Sequence, residues 1–410
     1  MLAHFRTRVF KKDTFFGIKK LSDLIFINII ELNRTVPCVE EAHMSTRPII
    51  GITMGDPSGN GPEISVKALM DPAIYDRCRP IIIGDASAME SAVKVVRGTE
   101  NMVIHPVGSV KDAEYKAGQI DVLDMGILDI SKRLFKKDRA VLAERMIPEE
   151  LNSAYHESQK MCGDCAFQYV RRVIELAMAN EIDATVTNAL NKDHINLAGH
   201  HYSGHTEIYA HYTGTQKYAM MLAHEDLRVV HVSTHVSLRE ACDRIKKERV
   251  LECIRLANEA CKALGIREPK IGVAGLNPHC GENGMFGREE IEEIQPAIDE
   301  AIRQGVNIPE RRPTPPDSIF SKALGGWYDV VVAMYHDQGH IPLKVKGFVY
   351  NKEKKKWDAV AGINVTLGLP IIRASVDHGT GEGHAGDGSA NELSLVNAIN
   401  CAIRMASANI

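Results

Sequence analysis

The chain has 410 residues, 44% of them apolar and 25% charged, which is longer than one ordinary domain needs and rich enough in apolar side chains for a large core. Lys plus Arg total 49 against 53 Asp plus Glu, a formal net charge of -4, and this balance excludes the one-sided basic field of a nucleic-acid binder. The composition also excludes disordered, collagen-like and disulfide-stapled chains, so a small molecule is the expected ligand.

Residues 1–43 differ from the rest. They carry Arg6, Arg8, Lys11, Lys12, Lys19 and Lys20 ahead of the apolar run LIFINII, which Asp23 and Glu31 flank. A secretory signal needs an uncharged apolar segment and a small-residue cleavage site, and neither is clear in this segment. The segment reads either as a basic organelle-targeting peptide or as an extension ahead of a start at Met44, and it is left out of the fold. From Arg47 onward, apolar strands alternate with amphipathic helices. The expected strands are PIIGITM (48–54), RPIIIGD (79–85), DATVTNA (183–189), RVVHVSTH (228–235), KIGVAGLNP (270–278), DVVVAMYH (329–336) and PIIRASVDH (370–378). Most are nearly continuous in Val, Ile and Ala, as parallel strands covered on both faces must be. Helical windows lie between them, among them KKERVLECIRLANEACKAL (246–264) and REEIEEIQPAIDEAIRQG (288–305). The second begins acidic and ends in Gly305, which suits the helix dipole and a glycine C-cap. The alternation predicts an α/β architecture with parallel-rich sheets. NKEKKKWD (351–358) reads as a solvated loop or hairpin tip. No window approaches the roughly 18 apolar residues that span a bilayer.

The nine cysteines, at 38, 78, 162, 165, 242, 253, 261, 280 and 401, follow no regular spacing, which fits reduced thiols and a cytoplasmic setting. Cys162 and Cys165 form a CxxC without a second pair and run into the helical stretch AFQYVRRVIELAM, so packing is the expected role. Histidine is concentrated: eight of the 17 (194, 200, 201, 205, 211, 224, 231, 235) fall within 42 residues. Three expected strands deliver an imidazole at or just past their ends, His235, His279 and His336, where open α/β sheets bind ligands. Three such rings suit a divalent metal with open positions for substrate oxygens. His378 ends a fourth strand, so the pattern alone does not say which three would bind. The loop GDPSGNGPE (55–63) opens a helix with Pro62 and Glu63 in its first turn. It matches neither GxGxxG nor GK[ST], so neither a Rossmann fingerprint nor a P-loop is indicated. In LAGHHYSGHTE (197–207), Thr206 is placed to cap a helix and His205 to face a ligand. Lys344, Asn364 and Arg373 supply two cations and an amide suited to a phosphate or carboxylate.

The motifs GDPSGNGPEI, NKDHINLAGHHYSGHTE, VSTH, GLNPHCGENGMFG, MYHDQGHIPLK and GINVTLGLPIIRASVDHGT stand in this order over roughly 48–408. Together they resemble the 4-hydroxythreonine-4-phosphate dehydrogenase (PdxA) family, and most closely its catabolic branch acting on 4-phospho-D-threonate or 4-phospho-D-erythronate. The resemblance implies an isocitrate/isopropylmalate dehydrogenase-like fold with a central cleft: a cofactor-side domain of 44–190 plus 345–410, and a metal, substrate and dimerisation domain of 191–344. It implies a homodimer with shared active sites, NAD bound without a Rossmann fingerprint, and one divalent cation. His235, His279 and His336 match the metal ligands. His205, Thr206, Lys344, Asn364 and Arg373 match substrate-binding positions, and His378, Gly379 and Thr380 lie near the cofactor. Lys192, Asp317 and Lys344 are the candidates for proton transfer. The expected reaction is oxidation of the hydroxy acid and loss of CO2, giving dihydroxyacetone phosphate and NADH. The alternatives are the pyridoxal phosphate step on 4-phosphooxy-L-threonine, a metal-dependent lyase or hydrolase that ignores NAD, and a non-catalytic sugar-acid-phosphate binder. Two departures stand out: Asn188 where relatives usually have Pro, and HGTGEGHAGDG (378–388) in place of HGTA-x-x-x-AG. Residues 348–361 look inserted and are read as surface decoration.

Overall fold

The computed structural model describes residues 47–353 and 356–408; the extension 1–43 and the two readings of it lie outside the described residues. Arg47–Ile410 cluster as one unit. Thirteen strands are described: β1 (Ile49–Thr53), β2 (Arg79–Gly84), β3 (Val103–Val107), β4 (Gln119–Asp124), β5 (Ala184–Thr187), β6 (Ala219–His224), β7 (Leu227–His231), β8 (Ile271–Val273), β9 (Val330–Ala333), β10 (Phe348–Asn351), β11 (Lys356–Val360), β12 (Ile363–Leu367) and β13 (Arg373–Val376). Eleven of them form one sheet in the order β3-β4-β2-β1-β5-β13-β12-β6-β7-β9-β8. All pairs from β3 to β13 are parallel, as are β7–β9 and β9–β8. Three antiparallel pairings, β13–β12, β12–β6 and β6–β7, join the two parallel runs. The architecture is α/β, as expected.

The seven expected strands are all present, shortened at one or both ends. β7 stops at His231 and β9 at Ala333, so His235 and His336 follow their strands in a loop and at a helix start. Of the lysine-rich stretch, Asn351 ends β10 and Lys356–Asp358 belong to β11, and these two strands pair antiparallel. The helix ahead of Gly305 ends at Arg303, and Gly305 takes a φ of 85° and donates to the Ile302 carbonyl. Parallel strands flanked by helices bury both faces, so Ile50, Ile52 and Ile81–Ile83 are fully buried.

One long helix, Pro148–Met178, positions the site. Its Cys162 and Cys165 are both buried, as a packing role requires. Burial pushes the Cys165 thiol up to about 12, so it stays protonated and unreactive. At Gly163 this helix meets the short helix Lys192–Leu197 so closely that a Cβ would lie 2.1 Å from the His194 carbonyl oxygen. Only glycine permits that approach.

Candidate active site

Side chains alternate across a strand, and three strands at the change of sheet direction, β5, β13 and β12, turn one polar face to the same side. Ser375 pairs in register with both Thr187 and Asn364, and Arg373 with Thr185. A cavity of about 230 Å³ lies over this face, lined by Thr187, Asn364, Arg373 and Ser375 from the strands. The helices and loops add Lys192, His205, Thr206, Glu207, His378 and Gly379.

Arg373 is the anchor. It is 2% exposed, and it donates to Thr366 Oγ1 (2.7 Å) and Thr187 Oγ1 (3.1 Å). Its Nε has no partner. Its carbon Cζ stands 5.4 Å from the Tyr209 ring centroid, and Tyr209 is itself held by Thr185 at 3.0 Å. Burial lowers the guanidinium to about 10. A buried cation held only by hydroxyls is costly unless an anion completes it. Neighbouring orphans point the same way: His205 Nε2, Asn364 Oδ1 and His378 Nε2 are buried without partners. Buried polar atoms are normally satisfied, so a group of them around one cavity marks a polar guest. Burial first, then Arg373 and Lys192, holds His205 well below its ordinary pKa, so its ring is neutral.

Thr206 does not cap its helix. Gly204 is the N-cap of His205–Thr213 with no side-chain cap bond, and the Thr206 hydroxyl instead lies 3.5 Å from Thr366 Oγ1. Asn188 is fully buried, and its amide donates to Thr53 O (2.9 Å) and Ser65 Oγ (2.8 Å). It thereby fixes the turn that leads to Lys192.

His235 also lines a second, more open cavity of about 460 Å³ together with His336. The two rings lie 5.5 Å apart, tilted by 47°. Burial, then Lys192, lowers the His235 pKa and favours the neutral, ligating form. His336 stacks on His340 at 3.6 Å, and its Nδ1 lies 2.6 Å from Asp337 Oδ1, which leaves Nε2 free to bind. His279 is elsewhere. It stands 63% exposed by its side chain, at the head of a run, His279–Asn283, in which every φ lies between 43° and 78°. Left-handed conformations cost non-glycine residues roughly 1–2 kcal/mol each, so the turn projects this imidazole under strain. Among the described residues no three His, Cys, Asp or Glu side chains are grouped to hold a metal. One chain therefore brings two of the three imidazoles together, and the three do not converge within it.

The proton-transfer candidates separate in the same way. Lys192 lines the first cavity. Lys344 is paired with Asp377 at 3.0 Å, beside His378, and does not line it. Asp317 is exposed in the first turn of the helix Pro316–Leu324, on the side of His279. Sequence reasoning missed Thr187, Thr366 and Ser375, although DATVTNA reads as a strand, and the ends of such strands face ligands.

A fold with a polar cleft at the junction of two parallel runs, holding a buried cation and neutral imidazoles, is that of an enzyme for small anionic substrates. The family model "Pyridoxal phosphate biosynthetic protein PdxA" matches residues 76–402. A protein of Oceanobacillus iheyensis is 44% identical over 367 residues, covering 88% of this chain and 99% of its own. The D-threonate 4-phosphate dehydrogenase of Cupriavidus necator is 40% identical over 353 residues, covering 86% and 95%. The crystal structure of a 4-hydroxythreonine-4-phosphate dehydrogenase from Burkholderia phymatum shares 39% identity over 88% of this chain and 99% of its own, at a TM-score of 0.70. The chain belongs to the PdxA family and is a dehydrogenase acting on a CH–OH group.

Proposed function

We propose that the protein catalyses the NAD-dependent oxidative decarboxylation of a 4-phosphorylated four-carbon hydroxy acid, 4-phospho-D-threonate or 4-phospho-D-erythronate. The products are dihydroxyacetone phosphate, CO2 and NADH. The observation that carries this reading is the buried Arg373, which has hydroxyl partners only and a free Nε. The curated relatives named for D-threonate 4-phosphate favour it over the pyridoxal phosphate step.

In this reading Arg373, His205 and Asn364 take the phosphate, Thr206 orients the chain of the acid, and Lys344 closes the rim. When bound, NAD at His378–Thr380 supplies the hydride acceptor, and a divalent cation at His235 and His336 supplies Lewis acidity toward the hydroxyl and carboxylate oxygens. The His235 ring, kept neutral by burial, and the His336 ring, oriented by Asp337, fit such an ion, and the exposed His279 of a second copy would be the third ligand. That assigns a homodimer with shared sites, in which 191–344 carries the metal and dimer contacts and 44–190 plus 345–410 the cofactor. Lys192 takes the C3 hydroxyl proton and returns a proton to C2 after the carboxylate leaves. Acid plus NAD thus gives ketone phosphate, CO2 and NADH with no net proton. No helix among the described residues is long and apolar enough to cross a membrane.

The test is the rise in absorbance at 340 nm with 4-phospho-D-threonate, 4-phospho-D-erythronate and 4-phosphooxy-L-threonine, each with several divalent ions. Turnover of either sugar acid with dihydroxyacetone phosphate as product is expected. A rise only with phosphooxythreonine, or none at all, refutes the substrate.

A further inference from the structure

The segment that departs from the family pattern, 378–388, is tied down by side chains rather than left loose. At its far end the buried Glu63 accepts from the Gly386 and Gly388 backbone N–H groups, the latter at 2.7 Å. At its near end Thr380 O accepts from Asn60 N at 2.8 Å. Between them Glu382 reaches across to the helix that starts at Lys192. Its Oε1 accepts from Asn191 Nδ2 and from Thr380 Oγ1 (3.3 Å), and it lies 3.8 Å from His194 Nε2. The oxygen of the same Asn191 amide caps that helix, accepting from Asp193 N (2.8 Å) and His194 N (3.2 Å). His194 Nδ1 continues the line to Asp56 Oδ2 at 2.7 Å. The other Asp56 oxygen accepts from Ser58 N (2.9 Å) and Ser58 Oγ (2.7 Å) in the glycine-rich loop.

We propose that Glu382 is a positioning residue: through Asn191 and His194 it locks the 378–388 loop to the helix Lys192–Leu197, and so holds Lys192 at the cavity. Three segments far apart in sequence, 56–58, 191–194 and 380–382, meet on one imidazole between two carboxylates. The His194 side chain is only 5% exposed and that of Asp56 0%, so the contact is dry and its hydrogen bonds are strong. Burial disfavours a charged His194, but the Asp56 carboxylate, reinforced by Glu382 and Asp193, more than offsets it and raises its pKa. A cation between two anions binds all three segments more tightly than a neutral ring, which can donate only one proton. Lys192, the first residue of this helix, inherits the placement of its cap.

The consequence for catalysis rests on the reading of Lys192 as the proton carrier, so two measurements are paired. Hydrogen exchange of the ligand-free protein, followed over 191–198, tests the lock without substrate. Glu382→Ala should raise exchange there severalfold, and Glu382→Gln, which keeps an acceptor oxygen, should restore most of the protection. Unchanged protection in Glu382→Ala overturns the lock. Kinetics with 4-phospho-D-threonate and NAD test the positioning. A loop anchor alone would raise KM for NAD and leave kcat intact, whereas displacement of Lys192 lowers kcat on the order of tenfold. Asn191→Asp keeps the helix cap but removes the donor to Glu382. It should reproduce the kcat loss and add little to Glu382→Ala in the double variant. Full kcat in Asn191→Asp, or additive losses, overturns the positioning role. An absence of wild-type turnover would fail the substrate reading, while the exchange result still decides the lock.

Discussion

Replacing Arg373 with methionine removes a charge that the fold buries without a carboxylate in ion-pair contact, Glu207 acting on it only from a distance, and its effects on stability and on catalysis should have opposite signs. Desolvation holds the guanidinium near 10 against an ordinary value of about 12.5. Because the folded form binds this proton less tightly, the charged state at neutral pH costs the ligand-free fold about 3 kcal/mol. The hydrogen bonds to Thr366 and Thr187 return about 1 kcal/mol each. Arg373→Met should therefore stabilise the ligand-free protein by about 1 kcal/mol, a Tm increase of roughly 1 °C for a chain of this length. The phosphate loses a charge-assisted partner worth about 3 kcal/mol, so kcat/KM should fall about 150-fold. Thermal melts in chloride and in inorganic phosphate provide the assay. Phosphate should raise the Tm of the wild type and leave that of the variant unmoved. A variant that melts several degrees lower in chloride would show that Arg373 is a structural strut, and the argument from an uncompensated charge would be refuted.

If each site borrows His279 from the other copy, His235→Ala and His279→Ala should each be inactive while mixed dimers of the two recover turnover; no recovery on mixing would show that the site is not shared. Burial, then the nearby His340, holds His231 down to about 3, so its folded ring stays neutral where an unfolded one is charged. Its contribution to stability is complete above about pH 6.5 and is lost as pH falls toward 3. The urea midpoint should decline across that window in the wild type and less steeply in His231→Gln; equal slopes would assign the acid sensitivity to other groups.

The legible strands were those with unbroken β-branched runs, such as the Ile81–Ile83 stretch of β2. The illegible ones each lack that signal for a physical reason. β3 is an edge strand with exposed or half-exposed residues over most of its length, and it contains Pro106, a residue edge strands tolerate. β6, AMMLAH, is apolar but not β-branched, so its composition suits a helix equally well. β12 alternates polar and apolar because Asn364 and Thr366 face the cavity. At the site, motif matching collected His205, Thr206, Asn364, Arg373 and His378, which surround one cavity. Within one chain the three strand ends do not form one location, and His279 is the one that stands apart. β8 is the outermost strand, and a left-handed turn six residues beyond its end carries the ring away. The lock by Glu382 depends on three long-range contacts that no local pattern encodes.

The two strands nearest the carboxyl end, β12 and β13, lie in the middle of the sheet, between β5 and β6. During synthesis, a nascent chain that ends between β11 and β12 leaves the facing edges of β5 and β6 without their partner strands, the kind of surface that invites mispairing. The two parallel runs can mature separately on the ribosome, but they are zipped together only when almost the whole polypeptide has emerged. If Arg373 holds the substrate anion as proposed, a truncated product lacking that closing strand cannot compete for substrate, and anion binding would report the completion of folding.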